Sequence, residues 1–151
     1  MANPGPAVTN TPSTTLVAAP VSTSQSQAAQ HTNTYRILAV AKGINLNATG
    51  DVAVLPVINA TSYGVDKVVL TNASISLTTA AAGLFTAAAA GGTAIVANAA
   101  LSGATGPTVV SQRTVASTAV QTAQNLYLNV GTAQGAAATG DVYVFGFDLS
   151  A

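Results

Sequence analysis

The sequence predicts an all-β protein: an antiparallel β-sandwich of about eight strands, jelly-roll-like, behind an extended N-terminal arm. Short runs rich in Val, Ile, Thr, Tyr and Phe recur at intervals of about ten residues, with Gly, Asn, Ser or Pro between them. No stretch sustains a long helical period. The block 1–34 shows neither period and is made largely of Ser, Thr, Ala, Gln and Pro.

The arm comes first. It contains Pro4, Pro6, Pro12 and Pro20 and no charge beyond what His31 carries. Such a composition cannot bury enough apolar surface to fold alone. Proline-set φ angles and the scarcity of charge suit it to lie along a neighbour's surface and hydrogen-bond there. The four prolines and His31 are therefore candidate contact residues. The pattern changes at Tyr35, so the chain divides into an arm, 1–34, and a β domain, 35–151.

Y-R-I-L-A-V-A-K (35–42) alternates as a strand. D-V-A-V-L-P-V (51–57) follows, with Pro56 favouring an edge or a strand end. S-Y-G (62–64) reads as a turn that leaves Tyr63 exposed, ahead of a strand at 65–72. S-I-S-L-T-T (74–79) alternates strictly, with Ile75 and Leu77 on one face. The Ala-rich middle (80–97) admits a short helix over 79–90 or a hairpin. Gly83, Gly91-Gly92 and the β-type flanks favour the hairpin. Strands are predicted at 107–116, 125–130 and 141–149. In the last, Val142, Val144, Gly146 and Asp148 face one way, and Tyr143, Phe145, Phe147 and Leu149 form an apolar stripe whose aromatics are expected to be largely core. An immunoglobulin-type sandwich ranks below the jelly roll, because the chain has no Trp and no Cys.

Composition excludes several partners. Charged residues make up 5% of the chain, against about 25% in an ordinary domain. Formal net charge is zero, so nothing opposes association electrostatically. Arg36, Lys42, Lys67 and Arg113 are too few and scattered for a nucleic-acid or polybasic membrane surface. The uncharged run from Val68 to Gln112 is broken by Gly, Asn and Pro, and its apolar content is mostly Ala, unlike a membrane span. No basic n-region opens the chain, so a secretory signal is not expected, and the sequons at Asn47, Asn59 and Asn72 then carry little weight.

The one motif that invites chemistry is a repeat. A-T-G-D-V-A-V (48–54) returns as A-T-G-D-V-Y-V (138–144), and A-T-G-P-T-V-V stands at 104–110. Asp51 and Asp141 suggest a two-carboxylate site, but aspartic proteases need Asp-Thr-Gly, and here the order is Thr-Gly-Asp. The alternative is a turn in which Gly50 and Gly140 supply positive φ, polar side chains bond the turn backbone, and Val-x-Val starts a strand. The third copy lacks Asp, which favours the turn. The only His lies in the arm, so no base stands beside a Ser or Thr nucleophile. No catalytic residue is assigned. No cofactor or metal is assigned either, although a calcium ion at a turn stays open on the four Asp present.

L-T-N-A-S-I-S-L-T-T-A-A-A-G-L-F-T-A-A-A-A-G-G-T-A-I-V-A (70–97), N-L-Y-L-N-V-G-T-A-Q-G (125–135) and G-D-V-Y-V-F-G-F-D-L (140–149) resemble a family of small structural proteins of tailed bacteriophages and prophages. In that family they read as a hairpin, a strand and the closing strand. The resemblance implies a capsid decoration, or cement, protein on the virion's capsid surface, and no enzyme. It implies the major capsid protein and copies of the chain itself as partners, as a homotrimer, and carries over no catalytic residue. The competing readings are another virion component (head-fibre, tail or shell subunit) and a carbohydrate- or receptor-binding module using Tyr63.

Overall fold

The first described strand begins at Tyr35, where the pattern of the sequence changes. The computed structural model describes residues 35–150; the arm and its candidate contacts Pro4, Pro6, Pro12, Pro20 and His31 lie outside them. The strands are β1 (Tyr35–Asn45), β2 (Gly50–Pro56), β3 (Tyr63–Thr71), β4 (Ala81–Ala87), β5 (Gly91–Ala100), β6 (Ser111–Arg113), β7 (Asn125–Thr132) and β8 (Thr139–Asp148). Among the described residues there is no helix. Two four-stranded sheets form, in the orders β1-β8-β3-β6 and β2-β7-β4-β5, and every paired neighbour is antiparallel.

Alternation explains the packing. Leu38 on β1, Leu70 on β3 and Val144 on β8 point inward from the first sheet, and Leu55, Leu84, Ile95 and Leu126 from the second. All are almost fully buried. Each such aliphatic side chain contributes about 1.5–3 kcal/mol when removed from water. Tyr63 is the one aromatic residue in this shared cluster.

The β4–β5 hairpin forms as expected, closed by a turn with Ala89 and Ala90 at φ 56° and 57°. Two consecutive left-handed Ala residues cost about 1–2 kcal/mol each. Support arrives from outside the hairpin: the Ala89 amide donates to Asp51 Oδ2 at 2.7 Å. Pro56 does end its strand, and β2 is an edge of its sheet.

Three expectations are corrected. Residues 74–79 are not a strand. Their hydrogen bonds are isolated ones instead of a ladder: Leu77 N donates to Ala104 O, Ser74 N to Thr139 O at the start of β8, and Gln134 Oε1 accepts from Thr79 and Ala80 while its Nε2 donates to Ser76 O. Leu77 is buried, while Ile75 is exposed. The strand expected over 107–116 shrinks to Ser111–Arg113. On β8 the facing is reversed: Val142, Val144 and Asp148 are buried, and the aromatic stripe lies outside. Gly146 explains this, because a Cβ there would overlap the Gly64 carbonyl and come within 2.8 Å of Leu38 Cδ1. The tight side of β8 is therefore the Val/Gly side, with no room for rings.

Candidate interaction surface

The pairing register arranges the outer face of the first sheet in rows. Tyr35 stands opposite Phe147, Ile37 opposite Phe145, and Val40 opposite Tyr143. Across β8, Phe145 is flanked by Lys67, and Tyr143 by Val69. Of the chain's four Tyr and three Phe, Tyr35, Tyr143, Phe145 and Phe147 lie on this one face. Tyr35 and Phe147 are 45% and 44% exposed and meet edge-to-face, with centroids 5.2 Å apart and planes at 67°. Such a pair is worth about 0.5–1.5 kcal/mol beyond burial.

The few polar groups on the face are arranged around the rings. The Tyr35 hydroxyl donates to Asp66 Oδ2 at 3.1 Å. Partial burial, then that carboxylate, raises the phenol pKa. Lys42 Nζ sits 5.9 Å from the Tyr143 centroid, within cation–π range. Among the described residues the single salt bridge lies elsewhere, between Arg36 and Asp148 at 2.8 Å. Arg113 is also committed, donating to the carbonyls of Ala99 and Ala100 at 2.9 and 2.7 Å, and burial lowers its pKa. Both lysines therefore belong to the aromatic face, while both arginines tie down the fold.

Arg36 is neither a solvated nor a locally paired charge. It instead joins the two ends of the domain, donating also to Asn59 O at 2.8 Å. Asp148 is 1% exposed. Burial pushes its carboxyl upward, but hydrogen bonds from Ser150 and the Arg36 guanidinium outweigh that and hold it below the ordinary carboxylate value. No local pattern signals this pair, since its members stand 112 residues apart.

Tyr63 is the clearest departure from expectation. It is fully buried, because Gly64 belongs to β3 rather than to a turn. Its hydroxyl donates to Ala123 O at 2.6 Å, and burial pushes its pKa up to about 12. A buried ring offers no surface to a glycan or a receptor.

Asp51 and Asp141 do not form a pair. Asp51 stands on β2 in the second sheet, accepting from Asn129 Nδ2 at 2.8 Å and from Ala89 N. Those bonds lower its pKa. Asp141 stands on β8 in the first sheet, accepting from Gly43 N at 2.8 Å and Asn72 Nδ2 at 3.2 Å. Gly50 has the expected positive φ of 90°. Gly140 does not; it is needed because a Cβ would press on Leu70 and Leu46 at 3.1 and 3.2 Å.

Among the described residues, no group of three or more His, Cys, Asp or Glu is placed to hold a metal ion. A cavity of about 20 Å³ lies in the core beside Leu84, Leu101, Leu128 and Val142. It is apolar and only water-sized, so it gives a ligand nothing to orient against.

No family model, curated protein or solved structure matches the chain.

Proposed function

We propose that the chain is a structural virion protein, a capsid decoration or cement protein of a tailed bacteriophage. It binds the outer capsid surface as a homotrimer and stabilises the head through its β domain and N-terminal arm. Its partners are the major capsid protein and copies of itself, with no enzymatic turnover, cofactor, nucleic acid or membrane.

The observation that carries this reading is the aromatic outer face of the first sheet on an otherwise nearly uncharged molecule. Those rings are not required by the domain's own core, and a free monomer gains nothing by exposing them. A protein that works assembled has a use for such a face. The charge inventory supports the same reading. Asp51, Asp141, Asp148, Arg36 and Arg113 are all engaged in internal bonds, which leaves little ionised surface to keep copies apart. A repeating lattice then turns many weak contacts into avidity.

The sheet orders β1-β8-β3-β6 and β2-β7-β4-β5 support a β-sandwich of jelly-roll topology, in which successive strands pass between two sheets as paired Greek keys. Capsid and lectin domains both use that architecture. It is compatible with the virion reading and does not select it.

Cryo-electron microscopy of particles carrying the chain tests the proposal. Density for the domain is expected on the outer capsid surface, at a symmetry-related set of positions. Density in the tail, in a head fibre or within the shell itself would replace it with another virion role.

A further inference from the structure

We infer that the outer aromatic face of the first sheet is the seat of this chain's own N-terminal segment, residues 2–34, supplied by the same copy or by a neighbouring one. Supplied by a neighbour, the segment deepens the assembled-protein reading on which the inference rests; supplied by the same copy, it covers the face without an assembly and removes the observation that carries that reading.

The chain enters the domain at Tyr35, which is itself part of the face and packs on Phe147. Whatever precedes it starts at the edge of the surface to be covered. Tethering also raises the segment's effective concentration there over any free partner's.

The chemistry of the two surfaces is complementary. Residues 2–34 hold Pro4, Pro6, Pro12 and Pro20 and no charge beyond His31. A proline-set backbone is biased toward polyproline II, loses little entropy on docking, and binds aromatic-lined surfaces through its rings. Its carbonyls stay free to accept hydrogen bonds. Phe145 and Phe147 supply the aromatic lining, and Lys42 and Lys67 supply donors beside it.

A second copy of the same face fits less well. It would bring these lysines against their counterparts with only Asp66 to offset them, and Asp66 already accepts from Tyr35.

Reach is sufficient. At about 3.1 Å per residue, the stretch from Pro20 to Tyr35 spans about 45 Å. The ten residues of β8 span about 34 Å at about 3.4 Å each. The prolines can therefore lie on the near face or cross to a neighbour's.

The test uses the full-length chain, free of capsids. Phe147 is replaced by photoreactive p-benzoylphenylalanine, the protein is irradiated, and cross-linked peptides are mapped by mass spectrometry. Cross-links into residues 2–34 are expected, in a monomer-mass product if the segment folds back and a dimer-mass product if it comes from a neighbour. The same group at Val54, exposed on the other sheet, should label residues 2–34 at least fivefold less. Replacing Pro4, Pro6, Pro12 and Pro20 together by Ser should lower the Phe147-site yield several-fold.

Cross-links from position 147 into residues 35–151 of a second copy, or no protein cross-link at all, would overturn the inference. So would equal labelling from Val54. Any of these, with the domain still imaged on the capsid surface, removes the arm's seat and leaves the virion role standing. Domain density elsewhere with the cross-link intact does the reverse.

Discussion

On the first sheet, Tyr143, Phe145 and Phe147 point outward in sequence on β8, with Tyr35 and Ile37 beside them. On the second, the outward rings are Phe85 and Tyr127, paired on neighbouring strands with Val54 at the edge. The second sheet puts a ring to internal use. Phe85 lies over Gly83, where a Cβ would approach Phe85 Cε2 to 2.7 Å, and the ring is only 8% exposed. It covers backbone that the glycine leaves bare, as rings do over strand glycines generally. Phe147 is 44% exposed and meets Tyr35 edge-to-face. Outward aromatics in one sheet thus patch that sheet, and in the other they remain available. The two outer faces therefore differ in how far the fold itself uses their rings.

The comparison can be broken most severely at Gly146. Gly146→Ala forces a Cβ against the Gly64 carbonyl from the inner side of β8, and overpacking of this kind costs about 3 kcal/mol. The urea midpoint should fall sharply, and the outer face should be lost with the sheet that carries it. Arg36→Ala should cost about 3 kcal/mol by leaving the buried Asp148 carboxylate without its cation, which urea denaturation would also read.

Acid attacks the same pair. The folded Asp148 pKa lies below its unfolded value, so its stabilisation is fully present above the unfolded value of about 3.9. It is lost as pH falls through the folded value. Thermal midpoints should hold steady from pH 7 to about 5 and drop below about 4. The Arg36→Ala protein should show a shallower acid-side loss.

Phe147→Ala sharpens the contrast between the sheets. It should cost the domain only about 1 kcal/mol, the value of its edge-to-face contact with Tyr35. Phe85→Ala, which strips the cover from Gly83, should cost about 3 kcal/mol. Equal costs would mean that the two outer faces serve the fold alike. The smallest effect is a gain: Ala89→Gly relieves one left-handed Ala, at φ 56°, and should add about 0.5–1 kcal/mol, as a raised thermal midpoint would report.

Much of the fold was legible from the chain, for identifiable reasons. Gly91-Gly92 marked the hairpin despite the helix-forming Ala around it, because the flanks are β-type and the tip needs positive φ. The facing of β8 was not legible. Both of its faces are apolar, so a period of two fixes the alternation without saying which row is inside. Ring size suggested the aromatic row. Gly146 was the signal for the other, since a strand glycine often marks a close backbone approach.

Residues 74–79 alternate as well as any strand here. What removes them from a ladder is Gln134, more than fifty residues downstream, which no local reading can see. The repeat is a related lesson. Asp51 braces a strained turn and Asp141 braces Gly43, so one heptapeptide performs the same local task in two sheets. Adjacency to glycine suggests exposure for Tyr63, whereas Gly64 sits mid-sheet opposite Phe147. The aromatic face itself could not be found without the correct facing of β8.

The pairing of Tyr35 with Phe147 also bears on how the protein can be engineered. Chain leaving β8 after Asp148 emerges next to the start of β1, so an insertion there would crowd Tyr35. A reporter or epitope is better inserted at the exposed β7–β8 connection around Gly135, whose φ of 81° and open surroundings mark a loop with room to grow.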